Sequence, residues 1–219
     1  MPPLLIDLHT HTYPKSDDSF VNVDDLIDRA KTLGLDGICL TEHDGFWSRD
    51  EVKDLSRRHA FLVLPGSEIN TDAGHILVYG LQEYVFGLHK PAFLRHAVNK
   101  VGGVMVAAHP YRRRYLSDPG RNPDARAEML QRAVADDFFL MCDAIEGCNG
   151  RGKSDENEFS VDLGNAFALP STAGSDAHRL EQLGTVATRF DRRIGDLETL
   201  IAEIKAGRFR PEALRQPAL

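Results

Sequence analysis

Short apolar runs alternate along this chain with longer amphipathic segments, and this alternation limits the folds open to it. The apolar runs are four to six residues long and lie at 4–8, 37–41, 61–66, 75–80, 103–108, 144–147, 171–174 and 185–190. The amphipathic segments lie at 23–34, 49–59, 90–102, 124–138, 154–168 and 196–207. Buried strands that alternate with helices predict an α/β fold.

Local signals support the predicted helices. In the first, Leu26, Ile27 and Leu33 follow helical spacing, and Gly34 stands where a C-terminal cap belongs. The segment 110–123 contains three prolines and Gly120, which is typical of a long loop.

The composition limits the number of domains and the kinds of binding partner. A chain of 219 residues, 42% hydrophobic and 27% charged, predicts one domain over 1–219 with a full core. Its net charge of −7 disfavours a stable nucleic-acid complex, although a local basic pocket can still bind one phosphate ester. Three cysteines, no signal peptide and no membrane-length apolar run lead us to expect a cytoplasmic protein without disulfides and without a membrane partner.

Metal-capable side chains stand at the ends of the predicted strands. His9 and His11 share one face of the first strand because side chains alternate along a strand. The others are His43, Glu68, His75, His109, Asp176 and His178. A lone histidine at a strand end is usually an ordinary polar residue, but a set of such residues at strand ends indicates a divalent-metal site.

Other polar residues receive different interpretations. His59, His89 and His96 lie in or beside predicted helices and are read as ordinary surface residues. Asp7 is predicted to orient an imidazole from behind the site. Crowded carboxylates at one end of the fold would repel one another, and divalent cations would remove that cost.

Six motifs in order resemble those of the PHP (polymerase and histidinol phosphatase) superfamily. They are "DLHTHTYPKSDDS", "TEHD", "PGSEI" with "GHILVYG", "AAHPYR", "IEGCNGR" and "GSDAH". The tail after residue 185 also resembles the closing segment of small stand-alone members, so the likeness spans essentially the whole chain. It implies a distorted (β/α)7 TIM-like barrel with two or three divalent metal ions at the C-terminal ends of its strands.

The resemblance also implies roles for individual residues. His9, His11, Glu68 and Asp176 would hold one metal, and Glu68 would bridge to a second held by His75 and His109. Asp17, His43 and His178 would hold a third, with Asp18 as the alternative to Asp17. Glu68, Asp176 and His178 would take part in catalysis, and either His178 or a metal-bound water would be the general acid. Zinc, manganese and iron all suit mixed imidazole and carboxylate ligands.

The expected reaction is hydrolysis of a phosphoester in a small phosphorylated metabolite or nucleotide by a metal-bridging hydroxide. Arg112 and Arg151, with Asn149 as polar support, are the predicted substrate-binding residues. Arg113 and Arg114 continue the same basic run. Two other functions stay open: metal-dependent hydrolysis of a carbon–nitrogen bond, and a metal-stabilised binding module without activity.

Overall fold

The protein, a computed structural model, is described over residues 3–112 and 124–214. The strands are β1 (Leu4–Thr10), β2 (Gly37–Leu40), β3 (Leu62–Pro65), β4 (Ser67–Thr71), β5 (Gly74–Tyr79), β6 (Val104–Ala107), β7 (Ala144–Asn149), β8 (Ser171–Gly174), β9 (Val186–Phe190) and β10 (Phe209–Ala213). The helices are α1 (Val23–Thr32), α2 (Arg49–His59), α3 (Pro91–Lys100), α4 (Ala125–Val134), α5 (Ser154–Phe167) and α6 (Leu197–Lys205). Every predicted strand and helix overlaps one of these elements, so the predicted α/β fold is confirmed.

The strands form two mixed five-stranded sheets. The first has the order β10-β9-β1-β2-β3, and the second has the order β4-β5-β6-β7-β8. In the first sheet β9 is antiparallel to both β1 and β10, and in the second β5 is antiparallel to β4 and β6. Within the described residues the strands do not close into one ladder, so the predicted (β/α)7 barrel is not confirmed. The strand directions also depart from that fold, because the antiparallel neighbours of β1 and β6 interrupt the parallel succession of a (β/α)7 barrel.

The two sheets are joined by isolated contacts and a shared core. Isolated bridges link Thr10 to Ala177 and His43 to Glu68, and the Tyr79 hydroxyl of β5 donates to the carbonyl of Leu8 in β1 over 2.6 Å. Apolar side chains from both sheets and from α6 fill the space between them. Helices α1 and α2 cover the outer face of the first sheet, and α3, α4 and α5 cover that of the second. Elements from both sheets therefore meet at one end of the molecule.

Several helices begin at residues that satisfy their free N–H groups. Asn22 accepts from Asp24 at the start of α1, and Ser48 and Glu51 form a reciprocal capping box at the start of α2. Gly34 follows α1 with a φ of +78°, the left-handed conformation predicted for it. In the two described stretches of the chain, the helices lack the combined length and apolar character needed to cross a bilayer.

Candidate metal centre

Five imidazoles surround the buried carboxylate of Glu68. His75 Nδ1 and His109 Nε2 lie 2.8 and 2.9 Å from its Oε1. His43 Nδ1 lies 3.1 Å from Oε2, and the Nε2 atoms of His9 and His11 each lie 3.3 Å from that oxygen. Glu68 is wholly buried. One carboxylate with five imidazoles offers more donors than a single metal ion uses, which favours a multinuclear centre.

The elements explain why these side chains converge. His9 lies near the end of β1 and His11 just after it, and His43, His109, Asp176 and His178 follow β2, β6 and β8. As predicted, Glu68 follows β3 and His75 opens β5, so these two side chains lie near the beginnings of β4 and β5. Because β5 runs antiparallel to β6, its beginning lies beside the end of β6.

Several polar atoms of the cluster have no hydrogen-bond partner in the described structure although they are buried. They are His9 Nε2, His11 Nε2, His43 Nδ1, His75 Nε2 and Glu68 Oε2. A buried polar atom without a partner is costly, and metal ligation is one way to satisfy an imidazole lone pair and a carboxylate oxygen. The donor set therefore fits divalent metal ions.

Ligand atoms of the cluster fall into four overlapping groups, each with its atoms within 4.8 Å of one another. The groups are His9 with His11 and Asp176, His9 with Glu68 and His109, His43 with Glu68 and His75, and His11 with His43 and His178. All the predicted histidine, glutamate and Asp176 ligands are thus brought together. Four residues belong to two groups each, namely His9, His11, His43 and Glu68.

Beside the third predicted metal position, Asp18 approaches the histidines. Asp18 Oδ2 lies 3.1 Å from His178 Nε2 and 3.3 Å from His43 Nε2. Asp17 lines the same cleft. Asp18, the alternative that the sequence left open, is therefore the residue that approaches the imidazoles of both His43 and His178.

Glu146 is a functional residue that the sequence reasoning missed. It is buried near the middle of β7, where its Oε1 accepts from His9 Nδ1 over 2.9 Å and its Oε2 accepts from the backbone N of His109 over 2.8 Å. It therefore performs the orienting role predicted for Asp7. Asp7 instead accepts from the backbone N atoms of His9 and Ser175. The signal for Glu146 was the single acidic residue inside the apolar run "AIEG".

Two further acidic residues near the site are satisfied by protein donors. Glu42 accepts from Thr12, Ser16 and Trp47, and Asp44 accepts from the backbone and side-chain amides of Asn70. Hydrogen bonds thus stabilise both carboxylates without a metal, so fewer carboxylates are available as metal ligands than the sequence suggested.

The predicted substrate-binding residues lie around Asp176. Arg112 Nη1 lies 2.5 Å from Asp176 Oδ2, and Arg151 Nη1 lies 3.5 Å from Oδ1 and 3.1 Å from His178 Nδ1. Both guanidinium groups line the cleft. Asn149 is buried beneath them, donating to Glu146 and Asp176 and accepting from Arg112, so it positions neighbours in this structure. Arg113, Arg114 and the rest of the predicted loop to residue 123 lie outside the described residues.

In the absence of metal, the electrostatics of the cluster favour a protonated His9 beside ionised carboxylates. Burial opposes the charged form of His9, but the carboxylates of Glu146, Glu68 and Asp176 outweigh it and raise its pKa well above the usual value. Burial likewise opposes ionisation of Glu68 and Asp176, yet nearby histidines, above all His9, hold the pKa of both carboxyls well below the usual value. A metal ion that binds His9 must therefore displace its proton, whereas burial lowers the pKa of His43, His109 and His178 and favours their neutral form.

Two residues of the cluster have left-handed backbone conformations. The φ angles of His109 and Asp176 are +27° and +55°. Such values are uncommon for residues other than glycine and concentrate at functional sites, where the surrounding structure enforces them. They turn both side chains into a cleft of about 370 Å³ that is lined by Glu68, His75, His178 and the two arginines.

Comparison with known families identifies the chain. A family model described as the PHP domain matches residues 7–115, and a second, described as PHP-associated, matches residues 155–209. The chain belongs to the PHP family. The first match contains the predicted ligands from His9 to His109, and the second contains Asp176 and His178. The resemblance drawn from the six motifs is therefore confirmed.

Relatives of this PHP protein carry enzyme descriptions. A Thermotoga maritima protein, provisionally described as histidinol-phosphatase, is 25% identical over 207 residues, which cover 82% of this chain and 87% of that protein. A Bifidobacterium adolescentis structure, provisionally described as a metal-dependent phosphoesterase, matches with a TM-score of 0.61 at 18% identity, over 92% of this chain and 96% of that one. An amidohydrolase from Chromobacterium violaceum, solved with sulfate and without metal, matches with a TM-score of 0.58 at 18% identity, over 95% and 97%. At this identity the two structures show a shared fold.

Proposed function

We propose that this PHP protein is a metal-dependent phosphoesterase that hydrolyses a small phosphorylated substrate. The observation that carries the proposal is the pairing of the imidazole cluster around Glu68 with Arg112 and Arg151 in one cleft. Imidazole and carboxylate donors hold divalent metals, and guanidinium groups bind phosphate oxygens in charge-assisted pairs.

The side chains divide into metal-holding and substrate-holding sets. The cluster would hold two or three divalent ions of zinc, manganese or iron, with Asp18 completing the position beside His43 and His178. When bound, such ions activate water and neutralise charge on phosphoryl oxygens. Arg112 and Arg151 would orient the phosphoryl group on the Asp176 side of the cleft. His178 lies on the cleft wall, and its imidazole would be the general acid only where it does not itself hold a metal ion.

The two other functions are less well supported. An uncharged amide substrate gives no reason for two guanidinium groups beside the cluster. A binding module that had lost activity would not need the full set of converging, unsatisfied imidazoles. Neither alternative accounts for the cluster and the arginines together.

Turnover of generic substrates tests the proposal. The purified protein is stripped with a chelator, reloaded with manganese or zinc, and assayed on an aryl phosphate monoester, an aryl phosphate diester and an aryl amide. We expect chelator-sensitive hydrolysis of at least one phosphoester and none of the amide.

Two variants provide the controls. His9→Ala combined with Asp176→Ala should abolish hydrolysis and leave a folded protein. His96→Ala removes an exposed histidine of α3 and should behave as the wild type. A metal-loaded protein that cleaves only the amide would replace the proposal with carbon–nitrogen hydrolysis, and one inert to all three substrates would contradict it.

A further inference from the structure

Ser16 contacts three different parts of the site from the loop that follows β1. Its Oγ lies 2.6 Å from Glu42 Oε2, 3.2 Å from the backbone N of His43 and 3.3 Å from His11 Nδ1. Ser16 is 1% exposed, so bulk water does not compete for these contacts. The roles of donor and acceptor in the three contacts are fixed by the chemistry of the partners.

Glu42 is the acceptor in its contact with Ser16. The carboxylate is wholly buried and also receives the backbone N–H of Thr12 and the indole N–H of Trp47, both at 2.8 Å. These N–H groups can only donate. The 2.6 Å separation from Ser16 Oγ lies within the range of about 2.5–2.7 Å that is typical of a hydroxyl donating to a carboxylate. Ser16 therefore gives its one proton to Glu42.

In its two remaining contacts the Ser16 hydroxyl must therefore be the hydrogen-bond acceptor. A hydroxyl has one proton and two lone pairs, and the proton is already used. The backbone N–H of His43 donates to one lone pair, and His11 Nδ1 must donate to the other. In the neutral ring the proton thus resides on Nδ1. The lone pair of Nε2 faces Glu68 and Asp176, whose nearest oxygens lie 3.3 and 3.5 Å away.

We infer that Glu42 and Ser16 form a positioning relay that fixes the tautomer and orientation of His11. The relay leaves Nε2 free to hold a metal, as a carboxylate behind a ligating histidine does. The inference rests on the proposed metal centre. Glu146 contacts His9 directly, whereas Glu42 acts on His11 through a hydroxyl that also binds the backbone at His43. Ser16 thereby aligns ligands from β1 and from the segment after β2.

Zinc affinity of the full-length protein tests the relay. In Glu42→Gln the amide nitrogen can donate to Ser16, which lets the hydroxyl donate to His11 Nδ1 and reverses the tautomer. Ser16→Ala removes the acceptor for His11. Competition with a zinc chelator should show a loss of about 10- to 100-fold in affinity for both variants, and Ser16→Thr, which keeps the hydroxyl, should restore much of it.

Ser19→Ala is the matched control in the same loop. Ser19 is 2% exposed and donates to the backbone carbonyl of His11 over 2.9 Å, so its loss perturbs the loop without touching the imidazole. It should keep zinc affinity within a few-fold of the wild type. An equal loss in Ser19→Ala, or wild-type affinity in Ser16→Ala and Glu42→Gln, would overturn the relay. If Glu42→Gln fails to fold, the comparison of Ser16→Ala with Ser19→Ala still tests the relay.

The tautomer itself gives a second readout. Nitrogen-15 NMR of the metal-free protein, at a pH where His11 is neutral, should show the proton on Nδ1, and a proton on Nε2 would refute the relay. Neither measurement uses a phosphorylated substrate. Failure of the relay is therefore distinguishable from failure of the phosphoesterase proposal, which appears as normal zinc binding without turnover.

Discussion

At the scale of single residues, the carboxylates of the centre have different tasks. Glu68 faces five imidazoles and has an oxygen with no hydrogen-bond partner, whereas both oxygens of Glu146 are used by His9, His109 and Asn149. A carboxylate that is fully hydrogen-bonded behind a histidine fixes the ring and raises its basicity as a ligand. Glu68 is therefore the expected metal ligand and Glu146 its support.

Replacement of Glu146 by glutamine should weaken metal binding without removing a ligand. The amide cannot accept from all three of its present donors, so His9 loses its fixed orientation. We expect a loss of about 10- to 100-fold in metal affinity, measured by chelator competition. Glu158→Gln, which alters an exposed residue of α5 paired with Arg126, should leave the affinity unchanged. A metal affinity that is unchanged in Glu146→Gln would show that Glu146 does not support the metal ligands.

Asp7 should make the stability of the metal-free protein depend on pH. Burial raises its pKa to about 6 from the usual 3.8. Because the folded state holds this proton more tightly, the stabilisation is complete below pH 3.8 and is lost as the pH rises through 6. The loss amounts to about 3 kcal/mol.

Unfolding by urea in the presence of a chelator, across pH 4 to 7, measures this effect. Asp7→Asn cannot ionise, so its free energy of unfolding should fall less over the same range than that of the wild type. Parallel curves for the two proteins would show that Asp7 does not titrate in this window.

At the scale of elements, the close approach of β8 to β1 sets the position of His9. A Cβ on Gly174 would meet the Cβ of His9 and would lie 2.9 Å from the backbone N of that residue. Glycine at the end of β8 therefore allows the two strands to approach closely enough for Asp176 to join the cluster.

Gly174→Ala should displace His9 and lower both stability and metal affinity. We expect a loss of about 1–3 kcal/mol in the free energy of unfolding, as for other overpacked sites. Gly195→Ala is the control, since a Cβ there would meet nothing within 4 Å. Urea unfolding and metal titration measure both effects, and equal behaviour of the two variants would contradict the account.

The sequence predicted the elements well where their patterns were local. The helices and eight strands followed from apolar spacing, but β4 and β10 were missed. The sequence of β4, "SEINT", has a single apolar residue among its five positions, and β10, "FRPEA", contains a proline. Strand direction depends on long-range pairing, and so the antiparallel neighbours of β1 and β6 could not be predicted from local spacing.

In the site, too, residues with a local sequence signal were predicted, whereas those that depend on long-range contacts were not. His9, His11 and His43 lie beside clear apolar runs, and histidine is a common metal ligand. Glu146 lies inside an apolar run that predicts only a strand, and its contact with His9 is visible only in the folded structure. The choice between Asp17 and Asp18 also required the structure, because adjacent residues differ only in the direction of their side chains.

At the scale of the whole molecule, the two sheets bring together ligands that are far apart in sequence. Glu68 and His75 come from the second sheet, whereas His9, His11 and His43 come from or follow strands of the first. The candidate metal centre therefore lies at the junction of the sheets, where the bridge between His43 and Glu68 joins them. Bound metal should stabilise the entire fold, since the unfolded chain has no such site.

The metal content of the reconstituted protein, measured by elemental analysis on the sample used for phosphoester turnover, tests the central claim most directly. The account predicts two or more divalent ions per chain, with turnover that is lost on chelation and regained on reloading. A folded protein that takes up no divalent ion, or that holds its ions and leaves phosphoesters intact, would contradict it.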